Sequence, residues 1–535
     1  MNAPASWRNW LGFTAMAVGM FFAILDIQIV ASSLLDIQLA LHIPANRLSY
    51  IQTTYLIAEV IAIALTGWLT RVMSTRWLFV TAMLGFVLAS VGCAASPSHE
   101  ILLVLRFVQG LFGGAIIPLV FTAAFLLFPP RQQMIATMIG GGLAMLAPTV
   151  GPFVGGWITE TFSWHWLFLI NLGPGLVVAI LVGWLIQVDK PNWASARSLD
   201  VFTLGLIVVF LATLELALKE APGWGWLAVQ TLSMAALCLV SGAAGVWRCA
   251  TTHDPLINIA VFRDRTFAIG AIYSFVLGMA LFGSVYLLPL FLGIVRGHSP
   301  IEIGTVMVVM GATQLLIAPL ASWSETRMDP RLMTLAGYGL FALGAAANAM
   351  ATPAWDFDNL FWPQVLRGAA VMLCLLPVTR LSLGQLAPGL VPQASAVFNL
   401  MRNVGGAVGL AIIDTVIETR PVLHVEEIVA QLQAGNREMA SFVGLPLDRF
   451  NGLPLGAVDA TTQETLTPLV ERAAATMSFN DAWMLLAALI AASLLALPWI
   501  HLYWSMTTIP GCALPGNVGY WNTSGTVRCV YCMAV

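Results

Sequence analysis

The stretch Ala147-Pro148-Thr149-Val150-Gly151-Pro152-Phe153-Val154-Gly155-Gly156 lies inside an apolar run that covers residues 134–158. Gly151 and Gly155 are four residues apart, and small residues at this spacing let two helices approach closely. Pro152 removes a backbone donor between them and permits the helix to bend. The stretch therefore predicts a membrane helix with a hinge or a tight helix contact, although packing alone would explain the same residues. The positions concerned are Pro148, Gly151, Pro152, Gly155 and Gly156.

Apolar runs of similar length recur along the 535-residue chain, of which 59% is hydrophobic and only 9% is charged. A soluble domain usually carries about 25% charged residues. Each run predicts a transmembrane helix, because about 20 apolar residues cross the hydrocarbon core while they satisfy their own backbone groups. We predict fourteen such helices, at residues 11–34, 48–70, 77–96, 100–127, 134–158, 165–187, 200–218, 226–248, 267–293, 301–322, 332–351, 359–383, 393–419 and 482–504. The predicted fold class is an all-α membrane protein whose first helix is retained and is not a removed signal peptide.

Composition and motifs exclude several kinds of function. The net charge of −3 is too small to indicate a nucleic-acid partner. Neither of the two lysines, Lys190 and Lys219, stands in a GxxxxGK[ST] motif, so we expect no ATP hydrolysis. The histidines lack metal-ligand spacing, and Cys529 with Cys532 lacks a second pair of ligands, so we expect no metal and no cofactor. An enzyme or a sensor would need a catalytic constellation or an added domain, and neither is visible. An ion gradient is the expected energy source.

The basic residues predict the orientation, because Lys and Arg are enriched in short cytoplasmic loops. With the N-terminus inside, the inner side holds twelve of them: Arg8, Arg71, Arg76, Arg131, Lys190, Arg197, Arg248, Arg263, Arg265, Arg327, Arg331 and Arg380. The outer side holds three: Arg47, Lys219 and Arg296. We therefore predict a multi-pass protein of the bilayer with both termini in the cytoplasm. The long loop 420–481 is then outside, and its segments 425–432 and 465–475 have helical periodicity.

A short internal repeat predicts two similar halves. Val104-Leu105-Arg106 in the fourth span recurs as Val365-Leu366-Arg367 in the twelfth, and each copy is followed by a proline, Pro118 or Pro377. Both copies lie in spans of the same polarity, so the repeat is parallel. Parallel halves predict two six-helix bundles around a site at the membrane midplane.

The repeat and the span limits give a division of the chain. Residues 1–190 are assigned to the first bundle and residues 191–262 to two inserted helices. Residues 263–504 form the second bundle, which contains the loop 420–481. Residues 505–535 hold one charged side chain and break the membrane pattern, so we expect a disordered cytoplasmic tail.

Acidic residues inside the spans are candidate functional groups, since a charge in a membrane is costly. Asp26 lies slightly outward of the middle of the first span. Burial disfavours the charged form of a carboxyl group, so Asp26 is a candidate proton carrier, and permanent pairing is the structural alternative. Glu59 shares a helix face with Gln52 and Tyr55, which predicts a cavity wall and either a coupling role or a static hydrogen-bonded carboxylate. Two further acids lie near the outer ends of their spans, where ordinary solvation explains them: Glu215 and Asp414.

Three of the arginines are predicted well inside spans, away from the inner ends. Arg106 lies at a depth similar to that of Asp26, and its guanidinium would favour release of a proton when the cavity changes access. Gln109, one turn on, is placed to orient it and is also a candidate for the substrate cavity. Arg402 and Asn399, one turn apart, are candidates for the substrate cavity, although a packing link between helices is the simpler interpretation. Arg367 is interpreted in the same way.

Several motifs occur together in a fixed order. They are LDIQIVA at 25–31, GWLTR at 67–71, LRFVQG at 105–110, the quoted stretch at 147–156, WHWLFLIN at 164–171, and Phe398, Asn399 and Arg402. Over residues 10–505 they resemble the motifs of the fourteen-helix drug:proton antiporters of the major facilitator superfamily, the EmrB/QacA type. Two departures are Gln28 where the family usually has Thr, and Ser74 where its loop motif has a second Gly.

The resemblance implies a proton-driven exporter of lipophilic, drug-like compounds in a bacterial inner membrane. The buried carboxylates favour cationic compounds, and neutral or weakly acidic compounds are the alternative. The resemblance supports proton coupling by Asp26 and a conformational role for the quoted stretch. Glu59 and Arg106 are further candidates for proton coupling from their positions in the spans. The long outer loop is similar to that of EmrB-type pumps, which work with a periplasmic adaptor protein and an outer-membrane channel. The alternative on the same fold is a dedicated exporter of an endogenous metabolite, siderophore or lipid.

Overall fold

The structure is a computed structural model that describes residues 6–43, 50–194, 200–252, 255–325, 327–384, 386–387, 389–450, 452, 454 and 460–496. Within these ranges the chain is helical and has no β-strand. The predicted tail 505–535, with Cys529 and Cys532, lies outside the described residues. The same holds for Arg47 and Arg197, which contributed to the predicted orientation.

The first six predicted spans correspond to helices α1 to α8. Their bounds are α1 Trp7–Ser32, α2 Leu34–Leu41, α3 Tyr50–Met73, α4 Thr75–Ala94, α5 His99–Leu127, α6 Pro130–Thr161, α7 His165–Leu169 and α8 Leu172–Leu185. Ser98 caps α5 by accepting a hydrogen bond from the Ile101 N–H at 3.4 Å. Pro130 begins α6, where its missing N–H would have no helical partner. The sixth predicted span is divided at Ile170 and Asn171, and Asn171 is the N-cap residue just before α8.

The later spans form the inserted pair and the second bundle. Their bounds are α9 Val201–Trp224, α10 Val229–Thr251, α11 Arg265–Phe291, α12 Pro300–Glu325, α13 Pro330–Asn348, α14 Phe357–Leu383, α15 Val391–Gln433, α16 Arg437–Val443 and α17 Ala460–Ser493. Short 3-10 turns occur at Ile259–Arg263, Leu447–Arg449 and Leu494–Ala496, and a π-turn at Leu292–Arg296 continues α11.

Thirteen helices in the described part of the chain are long and apolar enough to cross a membrane. Helix α13 is the fourteenth. Its polar ends, Arg331 and Asn348, lower the mean hydropathy of its 19 residues, but it packs against α14 and α17 as a member of the bundle. The predicted all-α fold with fourteen transmembrane helices is confirmed.

The end of the chain differs from the predicted span limits. Helix α15 continues to Gln433, and α17 already begins at Ala460, so most of the segment between residues 420 and 481 is helical. Ile428 in α15, Val443 in α16 and Ala473 in α17 are buried in one apolar cluster. Hydropathy marks the part of a helix that lies in the membrane, whereas this cluster extends the two helices beyond it.

The inserted pair does not stand apart from the bundles. Helix α9 packs against α10 and also against α3 and α15, one helix from each half of the chain. Trp226, just after α9, donates a hydrogen bond from Nε1 to Thr415 Oγ1 at 2.9 Å. Lys219 of α9 donates to the Thr53 hydroxyl of α3. The inserted helix therefore covers the seam between the two halves.

Candidate functional site

Asp26 lies at the centre of a buried polar network in the first bundle. Its Oδ2 is 2.5 Å from Arg106 Nη1, and neither side chain is exposed. Its Oδ1 accepts a hydrogen bond from Asn171 Nδ2 at 2.7 Å and another from Gln109 Nε2 at 3.0 Å. Helices α1, α5 and α8 each contribute to these contacts. The hydrogen bonds that this carboxylate accepts from the described residues therefore all come from N–H donors.

Further groups complete the network. Arg106 Nη1 donates to Gln109 Oε1 at 2.7 Å, and Arg106 Nε donates to the Ile51 carbonyl at 3.3 Å. The guanidinium lies 4.4 Å from the centre of the Tyr55 ring, a cation–π contact. Ser90 Oγ accepts from Gln109 Nε2 at 2.8 Å. Because Ser90 belongs to α4, the network joins five helices of the first bundle.

A separate cavity of about 570 Å³ lies between the two halves. This volume is within the range that binds drug-sized ligands, and the walls are mainly apolar. The cavity extends toward the ends of the helices at Leu34, Leu290 and Ile303, which lie on the side opposite to the start of α1. Its uncharged polar lining includes Gln28, Gln52, Tyr286, Gln314, Asn399 and Asn403.

Three charged side chains among the described residues line this cavity: Glu59, Glu215 and Arg402. Glu59 is 5% exposed, and neither glutamate forms an ion pair with another described residue. Glu59 is positioned by the close approach of α3 and α5, since a Cβ built at Gly114 would lie 2.7 Å from the Glu59 Cα. Glu215 comes from α9, so the inserted helix supplies part of the wall.

Arg402 is 5% exposed, and it faces the cavity from α15. Its guanidinium carbon lies 5.3 Å from the centre of the Phe398 ring and 5.5 Å from that of Phe121. Its Nε and Nη2 have no hydrogen-bond partner among the described residues. Arg402 is therefore a buried cation that aromatic rings stabilise and that no described carboxylate pairs with.

The halves touch on the side at which α1 begins. Ser395 Oγ of α15 donates to the Pro118 carbonyl of α5 at 2.9 Å. A Cβ built at Gly67 of α3 would lie 2.9 Å from the Gln393 Cα of α15. Midway along the helices, Gln314 Nε2 of α12 donates to the Gly142 carbonyl of α6 at 3.2 Å. The cavity thus lies on the other side of a closed contact.

The stretch at 147–156 lies in α6 and faces the second half. A Cβ built at Gly311 of α12 would lie 2.6 Å from Thr149 Cγ2, and one built at Gly304 would lie 2.6 Å from Phe153 Cβ. Pro148 and Pro152 line the cavity. Gly151 leaves room for Gln28 of α1, and the Gly155 carbonyl accepts a hydrogen bond from Ser33 Oγ at 3.4 Å. Gly156 is buried beside it.

The structure divides the sequence-predicted residues into two sets. Asp26, Arg106, Gln109 and Tyr55 meet inside the first bundle, and the set that lines the cavity is Gln52, Glu59, Asn399 and Arg402. Tyr55 differs from its predicted neighbours because its hydroxyl donates to the Ala23 carbonyl at 3.3 Å. Gln52 and Glu59, seven residues apart, remain in register on the cavity face.

Sequence reasoning gave no role to Asn171 and Ser90, because a buried amide or hydroxyl does not stand out in an apolar sequence. Glu215 was explained by solvation at a helix end, yet it lines the cavity. The sequence signal that could have marked Glu215 as a functional residue was its position in an apolar span. Asp414 lies near Tyr286 and Lys219, around the same opening.

Two helical halves with a cavity and buried charges between them define a membrane transport protein. The chain belongs to the Major Facilitator Superfamily, whose family model matches residues 16–410. Within it, the chain belongs with the EmrB-type drug:proton antiporters. It is 37% identical over 501 residues to the colistin resistance protein EmrB of Acinetobacter baumannii, which covers 91% of this chain and 96% of that protein.

Other relatives agree with this assignment, and a solved structure shares the fold. The chain is 28% identical over 429 residues to the fatty acid resistance protein FarB of Neisseria gonorrhoeae, covering 79% of this chain and 84% of that protein. It is 26% identical to the multidrug export protein EmrB of Escherichia coli K12, covering 79% and 83%. The proton:xylose symporter XylE superposes with a TM-score of 0.56 at 12% identity, over 92% of this chain and 96% of that one. At such identity the structural likeness shows the fold alone.

Proposed function

We propose that the protein is a proton-coupled exporter that moves lipophilic, mainly cationic compounds by alternating access. The observation that carries this proposal is the apolar cavity of about 570 Å³ with Glu59 and Glu215 in its wall. Apolar walls bind the lipophilic part of a compound, and buried acids attract either a proton or a cationic group. The same site can therefore exchange a proton for a cationic substrate.

Glu59 and Glu215 supply the exchange at the cavity. A protonated carboxyl group no longer attracts a cation, so proton uptake from the open side releases the substrate there. After the halves rock, loss of the proton on the other side restores the binding charge. The substrate can drive this cycle only through different affinities for the two states.

Asp26 is proposed as a second proton-responsive group. Both of its oxygens accept N–H donors, from Arg106, Gln109 and Asn171. A proton on the carboxyl group would turn an O–H toward one of these donors, so at least one hydrogen bond must break. Proton uptake then loosens the contact of α1 with α5 and α8, which links protonation to helix movement.

The α6 stretch is proposed as the region that permits this movement. Pro148 and Pro152 each remove a helical hydrogen bond, and α6 packs directly on α12 of the other half. A helix that bends where the halves meet would let them rock without loss of packing elsewhere.

The cellular setting follows from the orientation and the relatives. We infer a bacterial inner membrane, both termini in the cytoplasm, and the proton gradient as the energy source, with no cofactor. The helical extension around Ile428, Val443 and Ala473 is then periplasmic. It offers a surface for an adaptor protein that leads to an outer-membrane channel.

The names of the relatives support drug export, and one of them supports an alternative. Relatives are named for colistin resistance and for multidrug export, whereas FarB is named for fatty acid resistance. A dedicated exporter of a lipid, or of a metabolite or siderophore, is therefore the second candidate. An adjacent adaptor gene favours the drug pump, and a biosynthetic gene cluster favours the dedicated exporter.

The test is proton release from energised inverted vesicles on addition of cationic dyes. The variants are Asp26→Asn, Glu59→Gln and Glu215→Gln, and the matched control is Glu160→Gln, an exposed acid at the end of α6. We expect dye-evoked proton movement in the wild type and the control, and its loss in Glu59→Gln or Asp26→Asn. Unchanged proton movement in all three variants would contradict the assigned residues. No response to any dye would favour the dedicated exporter.

A further inference from the structure

Arg402 differs from the other buried arginines by its access to the cavity. Arg106 is paired with Asp26. Arg367, also fully buried, stacks 4.5 Å from the Trp483 ring, donates to Gln364, and is not among the cavity lining. Arg402 alone of these three lines the cavity. It is therefore the buried arginine that a substrate can reach.

The surroundings of Arg402 leave two of its donor nitrogens buried and unpaired. The Phe398 and Phe121 rings contact the guanidinium through its charge, whereas its N–H groups point outward in its own plane. Nε and Nη2 have no hydrogen-bond partner among the described residues. A planar fork of free donors matches the two oxygens of a carboxylate, which accepts two parallel hydrogen bonds.

The backbone holds this side chain in a fixed place. A Cβ at Gly278 of α11 would collide with the Arg402 carbonyl, so α11 and α15 are in close contact there. One turn earlier, Ser274 Oγ donates to the Phe398 carbonyl at 2.9 Å. The backbone at Arg402 is thus held in place before any ligand enters, which reduces the entropic cost of binding.

We propose that Arg402 is an anion subsite of the cavity, which binds the carboxylate or a similar planar acidic group of a lipophilic substrate. It rests on the proposed function, because it assumes that the cavity is the substrate site. The acids Glu59 and Glu215, from α3 and α9, have the opposite preference, because they would attract the cationic groups of a substrate. The cavity then accepts lipophilic acids and zwitterions as well as cations, and Asn399 and Asn403 provide further polar contacts beside Arg402.

The test is equilibrium binding to the purified full chain in lipid nanodiscs, without any gradient. The probes are 2-naphthoate, the neutral isostere 2-naphthamide, and tetraphenylphosphonium. We expect Arg402→Gln to weaken naphthoate binding about tenfold or more, which is the usual effect of losing a charge-assisted hydrogen bond. Naphthamide binding should be almost unchanged, and tetraphenylphosphonium binding should be retained or strengthened, which shows that the cavity is intact.

Two further variants separate this subsite from a structural role. Arg402→Lys keeps the charge without the planar fork and should lose only part of the naphthoate affinity. Arg367→Gln removes an equally buried arginine outside the cavity and should not change the preference for naphthoate over naphthamide. The proposal is overturned if the wild type does not bind naphthoate, if Arg402→Gln weakens acid and amide equally, or if Arg367→Gln has the same selective effect. Because no proton movement is measured, a failure of proton coupling would leave these results unaffected.

Discussion

Asp26 and Arg402 are both buried charges, yet their surroundings are opposite. Asp26 is surrounded by donors from Arg106, Gln109 and Asn171, whereas Arg402 keeps two N–H positions without a partner among the described residues. A buried charge that is fully paired stabilises the fold or acts as a switch, since its hydrogen bonds must break before its protonation state changes. A buried charge that is left open beside a cavity serves recognition. We therefore propose that the two residues act in different steps of one transport cycle.

Depth in the span was enough to predict that Asp26 and Arg106 would lie at the same level, and the structure places them 2.5 Å apart. The same reasoning could not find Asn171, because its amide reaches Asp26 only after the sixth span is broken into α7 and α8. Nor could it place Glu215 at the cavity, because its access to the cavity depends on how α9 packs against α3 and α15. Titratable groups are recognised from a sequence, whereas their partners depend on the packing.

The link between α9 and α10 gives a prediction for pH. Asp200 caps α9 and lies 2.6 Å from Arg248 of α10, and hydrogen bonds from Thr203 and Arg248 hold the pKa of this carboxyl group below its usual value. A carboxyl group with a lowered folded-state pKa stabilises the fold above its unfolded pKa, near 3.8, and this contribution is lost as the pH falls. Asp200→Asn should therefore lower the Tm by a few degrees at neutral pH, on the order of 1 kcal/mol for a partly exposed pair.

Thermal unfolding of wild type and variant in detergent checks this over a series of pH values. The difference in Tm should narrow below about pH 4, where the unfolded chain takes up the proton. A difference that stays constant down to strongly acidic pH would show that the charge of Asp200 is not what stabilises this end of α9.

Among the helices, glycines allow the backbones of α3 and α5 to approach each other closely. Cβ atoms at Gly110 and Gly114 would meet the backbone of Tyr55 and Glu59. The pair of helices therefore fixes Tyr55 beneath Arg106 and, one turn on, Glu59 at the cavity. Both parts of the site depend on one helix contact.

Gly114→Val should separate these helices, because the added Cβ would lie 2.7 Å from the Glu59 Cα and the neighbour is backbone that cannot turn away. We expect a loss of stability of about 1–3 kcal/mol, as for overpacking, together with reduced transport. Gly339→Ala in α13 is the matched control, since its Cβ meets nothing within 4 Å. The control should be neutral or slightly stabilising in thermal unfolding. Equal stability of Gly114→Val and the wild type would contradict the described helix contact.

The helices themselves were largely predictable, since apolar runs of about 20 residues have one stable solution in a bilayer. The limits of α15 and α17 were not. Both continue past the apolar run because Ile428 and Ala473 pack with α16, and such contacts between distant segments leave no continuous hydropathy pattern. The extension was visible only as short segments of helical periodicity.

At the scale of the whole molecule, the repeat around Arg106 and Arg367 predicted two parallel halves, and both arginines are buried at similar places in α5 and α14. The repeat did not predict the contacts between the two halves. The closed contacts at Ser395 and Gln393, the cavity on the opposite side, and α9 across the seam all depend on tertiary packing. In this conformation the halves are closed on one side of the cavity, as the proposed alternating access requires of each state.

The most direct test of this account is transport by the purified protein in proteoliposomes with an imposed pH gradient as the only energy source. We expect the wild type to accumulate tetraphenylphosphonium against the concentration gradient of this compound when the pH gradient favours antiport. We expect no accumulation when the pH gradient is reversed. Glu59→Gln should lose this accumulation, because the neutral amide removes the charge for which the proton and the cationic substrate compete. Accumulation that is independent of the pH gradient, or that persists unchanged in Glu59→Gln, would contradict proton-coupled export through this site.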